Sequence, residues 1–250
     1  MQFTHEGHSI AETSGVKEKD RYNEAWATGE YLPLIGLQYT RCLYLCFFFR
    51  DYEKILDVGC GTGAAVVYHR VIGRKEAYGI DFAEPAQKVW KQCNADKWCQ
   101  IADAKNIPYK DNTFDIVTCT DMLEHVPEED TDWVLSEILR VTKKDIMLSV
   151  SLIPAKYKMP QDGSEPHICL KEPYWWVEKM GKMGYRFKMT PYFNHTLMIY
   201  AKKDENQYRR YKSLQQSLLY LPHERQIYTG RISDGLYVPK LVRKSRRAVA

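Results

Sequence analysis

A chain of 250 residues with 44% hydrophobic content is long enough for one sizeable α/β domain with additions, or at most two small domains. Its 36 Lys and Arg stand against 32 Asp and Glu, a formal net charge of +4, so no global field advertises a polyanionic partner. The longest apolar patch, residues 42–49 between Arg41 and Arg50, falls well short of the ~20 residues that a membrane span requires.

The seven cysteines are odd in number, scattered and free of any C-x-x-C pair, which reads as a reduced, cytoplasmic chain. Cys42 and Cys46 read as two small apolar residues on one helix face, and no metal is assigned. The first residues lack the basic and apolar regions of a secretory signal.

Residues 1–30 are expected to be an N-terminal arm or lid: they are largely polar, rich in Glu, Lys, Gly and Ser, and show no steady period. Phe3, Tyr22 and Trp26 either anchor this arm to the domain surface or close over a substrate, and both readings stand. Residues 31–49 carry Leu34, Leu37, Leu43, Tyr44 and Phe47 at loosely helical spacing.

Next comes a short apolar run at residues 54–58, suited to a buried parallel strand, followed at once by Gly59, Gly61 and Gly63. Glycine reaches backbone angles closed to other residues and lets a ligand lie against the main chain. The helix expected from about Thr62 to Val71 points its unpaired first amides and positive dipole end at this turn, and Asp57 adds a carboxylate. Gly59, Gly61 and Ala64 also satisfy G-x-G-x-x-G/A, so the turn alone is compatible with a dinucleotide pyrophosphate.

A second strand, residues 77–80, ends at Asp81, where a carboxylate at the carboxyl end of a parallel strand can take both hydroxyls of a ribose. Pro85 opens a helix to about Cys93, residues 98–102 form a third strand and residues 114–119 a fourth. Residues 128–141 fit a helix, 146–150 a fifth strand, and 151–170 a long connection suited to a substrate loop. Residues 172–183 read as a helix stopped by Gly184, and strands at 185–189 and 197–201 close the sheet as an antiparallel hairpin. The alternation predicts a doubly wound, mostly parallel α/β sheet over 31–203. Residues 204–250 read as a helix, 207–221, and a solvated basic tail, 239–250, with Lys240, Arg243, Lys244, Arg246 and Arg247.

Four pieces in order resemble the class I S-adenosylmethionine-dependent methyltransferases, most closely their type 11 branch. They are I-L-D-V-G-C-G-T-G, G-I-D at residues 79–81, D-A-K-N-I-P-Y-K-D-N-T-F-D-I-V at 103–117, and D-M-L-E-H-V at 121–126. The resemblance spans about residues 54–202 and implies the Rossmann-like methyltransferase fold and S-adenosyl-L-methionine as cofactor. It implies that Asp57, Gly59, Cys60, Gly61 and Gly63 hold the methionine part, Asp81 the ribose with Phe82 beside the adenine, Asp103 and Ala104 the adenine edge, and Thr120 the pocket near the sulfonium.

Such a cofactor needs little covalent help, so the protein's task is to align the acceptor and, where required, remove its proton. Glu124, His125 and His167 are the candidate bases, with Glu124-His125 weighted toward a structural role in its loop. Lys143-Lys144-Asp145 replaces the family's usual Lys-Pro-Gly-Gly and is read as an altered loop. The expected reaction is methyl transfer to an O or N atom of a small-molecule, sugar or glycan acceptor walled by Tyr157, Tyr174, Trp175, Trp176, Tyr192 and Phe193, with Trp176 also readable as core. An RNA or DNA acceptor, and a non-catalytic S-adenosylmethionine-binding partner subunit, are the alternatives.

Overall fold

The computed structural model describes residues 6–28, 51–156, 158–189, 192–193, 195–209, 227–233 and 236–242. Strands β1 (Lys54–Val58), β2 (Glu76–Asp81), β3 (Cys99–Ile101), β4 (Phe114–Thr120), β5 (Thr142–Ser151), β6 (Tyr185–Met189), β7 (Tyr192–Phe193) and β8 (Thr196–Lys203) form one sheet in the order β3-β2-β1-β4-β5-β8-β6, with β7 on β8. β1 to β5 pair in parallel, whereas β8 is antiparallel to β5, β6 and β7. The expected doubly wound sheet closed by an antiparallel hairpin is therefore observed.

Side-chain alternation along each strand builds two cores. Leu56 and Val58 of β1, Val117 and Cys119 of β4, and Ile146, Leu148 and Val150 of β5 face one side. Helix α4 (Thr131–Val141) covers that side with Leu135, Ile138 and Leu139, and α5 (Pro173–Met183) with Trp176 and Met180. Ile55 and Ile116 face the other side, beneath Val66 of α2 (Ala64–Val71), Trp90 of α3 (Ala86–Gln92) and Tyr22, Ala25 and Trp26 of α1 (Glu6–Ala27). Trp90 and Trp176 are completely enclosed, and truncating either to Ala forfeits about 3–5 kcal/mol by transfer and cavity costs.

The strand order reverses between β1 and β4, and in open α/β sheets ligands bind at this switch, beyond the carboxyl ends of the strands. Here β1 ends in the Asp57–Gly63 turn, and β4 ends in residues 120–125.

Three expectations change. The arm is a regular helix, α1, and Tyr22, Ala25 and Trp26, at i, i+3 and i+4, form the face it buries. Lys143, Lys144 and Asp145 are part of β5, where Asp145 is buried and accepts a hydrogen bond from the Tyr52 hydroxyl. Residues 239–242 of the supposed tail pair with β9 (Ile227–Ser233) as part of β10 (Leu236–Val242). The helix expected at 31–49 lies outside the described residues, as does most of the one at 207–221.

Candidate functional site

The glycine turn folds on itself before it meets any ligand. Gly59, Gly61 and Gly63 all have positive φ, at 74°, 50° and 74°. The amides of Gly59 and Cys60 both donate to the Ile80 carbonyl, and Gly63 donates to Cys60. Gly61 donates to Asp81 Oδ2 at 2.8 Å, while the Trp90 indole N–H donates to the Gly61 carbonyl. A Cβ on Gly59 would lie 2.6 Å from Met122 Cγ, so the β4 loop presses directly on the turn. The amides of the first turn of α2 have no intrahelical partner and are the donors that the helix start offers.

Two acids flank this turn. Asp57, 7% exposed, accepts from the Thr118 hydroxyl at 2.8 Å. Burial pushes its pKa up to about 7, the nearby Asp81 adds to the rise, and the Thr118 bond opposes it. Burial also raises Asp81, against the pull of the Ala83, Gly61 and Phe82 amides. Its Oδ1 takes the Ala83 N–H at 2.9 Å, so this carboxylate clamps the end of β2 to the glycine turn. A buried and a partly buried acid, both with raised pKa values, fit a cationic, hydroxyl-bearing guest. The ammonium of S-adenosylmethionine would hold Asp57 ionised, and a ribose diol suits the acceptor capacity left on Asp81.

Asp103 is exposed, and its side chain accepts from the Lys105 amide, turning the chain next to Ala104. Sequence reasoning missed what holds that loop, 103–112, in place. Arg140, at the end of α4, donates to the carbonyls of Ile107 and Tyr109 at 2.7 Å each, and pairs with Glu137 and Asp111. The carbonyls it binds lie 31 and 33 residues away, so no spacing within the chain points to them.

At the end of β4, partly buried Thr120 pairs in register with Ser149. Asp121 takes a positive φ of 53° and accepts from the Ser149 hydroxyl, which turns Met122 onto Gly59. This backbone strain carried no signal in the sequence.

Glu124, His125 and His167 come together although the chain separates them. Glu124 is fully buried, its Oε1 accepts from the Ser151 amide at 3.0 Å, and its carbonyl accepts from Cys169. The rings of His125 and His167 meet edge to face with centroids 4.9 Å apart. His125 Nδ1 lies 2.9 Å from the Pro166 carbonyl and 2.5 Å from the Tyr22 hydroxyl. His167 Nδ1 lies 2.7 Å from the Ile153 carbonyl. Burial is the main reason that the His125 pKa falls to about 4, so this ring is neutral at pH 7 and a weak base.

Helix α1 closes this end of the sheet. The Tyr22 ring packs on Phe82 with centroids 5.6 Å apart. Arg21 donates to the Ser164 hydroxyl and the Glu165 carbonyl, and Asn23 accepts from the Glu84 amide. The helix therefore ties the loop after β2 to the loop after β5. Beyond β5 a cavity of about 410 Å³ is lined by Leu152, Leu170, Lys171, Glu172, Tyr174 and Trp175. Trp176 faces the core instead, while Tyr157 and the side chains of Tyr192 and Phe193 lie outside the described residues.

Residues 56–150 match the Methyltransf_11 family model, described as a methyltransferase domain. The demethylmenaquinone methyltransferase of Lactiplantibacillus plantarum is 29% identical over 184 residues, 70% of this chain and 66% of that protein. The ubiquinone/menaquinone biosynthesis C-methyltransferase UbiE of Desulfotalea psychrophila is 38% identical over 95 residues, 36% of this chain and 37% of its own. The chain spans 62% to 66% of the length of the first demethylmenaquinone methyltransferases it matches. The magnesium protoporphyrin IX methyltransferase of Synechocystis, with bound S-adenosylhomocysteine, shares the fold at a TM-score of 0.51 and 16% identity, over 74% of this chain and 93% of that one. The glycine turn and its two acids stand at the switch point of a sheet whose residues 56–150 match a methyltransferase domain, which supports a class I S-adenosylmethionine-dependent methyltransferase.

Proposed function

We propose that this chain transfers a methyl group to a small, flat aromatic acceptor of the quinol class. The cavity after β5 carries the reading. Tyr174 and Trp175 offer aromatic faces beside Leu152 and Leu170 within a lining of mixed polarity, which suits a flat ring that carries polar substituents. Lys171 and Glu172 on the same wall offer polar contacts to ring oxygens. The relatives matched over most of this chain act on demethylmenaquinone, which supports the same class of acceptor and argues against the sugar or glycan first expected.

S-adenosylmethionine, when bound, supplies the methyl on an already activated sulfonium. Asp57 and the first amides of α2 would hold its amino-acid end, Asp81 its ribose, and Phe82 and the 103–104 corner its adenine. α1 excludes water by spanning from the Glu84 amide to the 161–165 loop. Thr120 borders the transfer path at the carboxyl end of β4.

Methyl transfer from S-adenosylmethionine to a panel of reduced demethylquinones, followed by mass spectrometry, tests the reading. The expected product is a monomethylated quinol, with Trp175→Ala raising KM at least tenfold while S-adenosylhomocysteine affinity stays unchanged, since about 1.4 kcal/mol of lost stacking is a factor of ten. Methylation of a sugar panel with no turnover of any quinol would overturn it.

A further inference from the structure

The geometry points to a divalent transition-metal site formed by Glu124, His125 and His167. One ligand atom from each residue lies within 4.8 Å of the others, the spacing of donors around a shared cation. The tautomers follow from the hydrogen bonds. A carbonyl only accepts, so the contacts of His125 Nδ1 to Pro166 O and of His167 Nδ1 to Ile153 O place a hydrogen on each Nδ1. The Tyr22 hydroxyl, beside the same His125 nitrogen, shares that hydrogen. With Nδ1 so engaged, Nε2 is the nitrogen that each ring can offer to a cation, and the two rings meet at 74°.

A histidine that gives its other N–H to a backbone carbonyl is fixed in orientation and made a better ligand, an arrangement typical of metal sites. Here both histidines have it. The carboxylate is fixed as well, by the Ser151 amide on Glu124 Oε1 and by the Cys169 amide on the Glu124 carbonyl. The first two ligands ride on the Leu123–His125 turn after β4 and the third on the connection after β5, so two neighbouring strands bring the set together.

Two imidazoles and one carboxylate suit zinc, manganese, cobalt or ferrous iron. They do not suit magnesium, which takes oxygen ligands. Three protein ligands leave a coordination position open. A hydroxyl oxygen of the acceptor in that position would have its pKa lowered and would pass its proton to bulk water as the acceptor enters, so that no strongly basic side chain is required. This last step rests on the methyl-transfer reading; the metal site itself does not.

The test uses the full chain, stripped with a chelator and titrated with Zn²⁺ and, separately, Mn²⁺ by calorimetry, with bound metal counted by elemental analysis. About one equivalent is expected, held at least a hundredfold more tightly than by His167→Gln or Glu124→Gln, because losing one of three ligands removes more than the ~10–100-fold that outer partners contribute. Thermal melting identifies a variant that has failed to fold, and His167→Gln, on a partly exposed side chain, is the variant that decides. S-adenosylhomocysteine binding is measured on the same samples and is expected to be equal in wild type and His167→Gln. Substoichiometric binding of both metals by the wild-type chain, or equal affinity in a folded His167→Gln, overturns the site. Loss of S-adenosylhomocysteine binding alone would instead strike at the methyltransferase reading.

Discussion

Asp81→Ala separates two jobs that one carboxylate performs. Its oxygens accept the Gly61 amide at 2.8 Å and the Ala83 amide at 2.9 Å. Hydrogen bonds to a charged group contribute about 1.5–3 kcal/mol each, and a donor left unsatisfied costs about 1–3 kcal/mol. Asp81 is only partly buried and its ionised form is opposed by burial, so the net loss in folding stability is set at about 2–3 kcal/mol. For a chain of this length each kcal/mol moves the melting temperature by about 2–4 °C, so a fall of about 4–12 °C is expected. If Asp81 also holds the ribose, S-adenosylhomocysteine affinity measured well below the melt falls by a further 1–3 kcal/mol, or about 5- to 150-fold. Asp81→Asn keeps one acceptor and turns its amide toward the other N–H, so it should fall between wild type and Ala. Scanning calorimetry and titration calorimetry on the three proteins read the two effects separately. A lower melting temperature with unchanged affinity would remove Asp81 from the cofactor site and leave it as a brace, and no change in either would refute the reasoning altogether.

Gly63→Ala should cost about 2–4 kcal/mol in chemical denaturation, since a Cβ in the left-handed region is strained by about 1–2 kcal/mol and overpacking adds more. Its Cβ would sit 3.1 Å from Cys99 Sγ and 3.2 Å from Trp90 Cδ1, and a midpoint within error of wild type would show that α3 yields freely. Arg140→Lys cannot reproduce the fork that serves Ile107 and Tyr109 carbonyls and Glu137 together, and is expected to cost about 2 kcal/mol of stability with faster amide exchange across 103–112. Unchanged exchange there would release the loop from Arg140. His69 is buried and its pKa is lowered to about 4, first by burial and then by Lys75. The unfolded chain takes up this proton near pH 6.5 and the folded chain only near 4, so stability is whole above 6.5 and declines as pH falls between them, by up to about 3 kcal/mol. His69→Gln should flatten that part of the stability curve, and a slope identical to wild type would exclude His69 as its source.

The sequence by itself determined the strand, turn and helix start that are proposed to hold the cofactor, because these elements are local. A short apolar strand, a glycine turn and a helix start lie within residues 54–71, and Asp81 ends the next strand, so spacing alone aligns them. Three aspects of the molecule were not local. Helix α1 escaped because, among its described side chains, it buries Tyr22, Ala25 and Trp26, too few to impose a period on a polar stretch until Phe82 and the 161–165 loop supply the surface that they cover. Lys143, Lys144 and Asp145 read as a loop by composition, yet pairing with Ile116 and Lys202 draws them into β5. The largest change concerns Glu124, His125 and His167. In the sequence they are separate candidate bases; in the fold, the carbonyls of Pro166 and Ile153 engage Nδ1 of both imidazoles and hold the rings against each other. Hydrogen bonds between segments far apart in the chain decide tautomer and orientation, and no spacing within the chain encodes them.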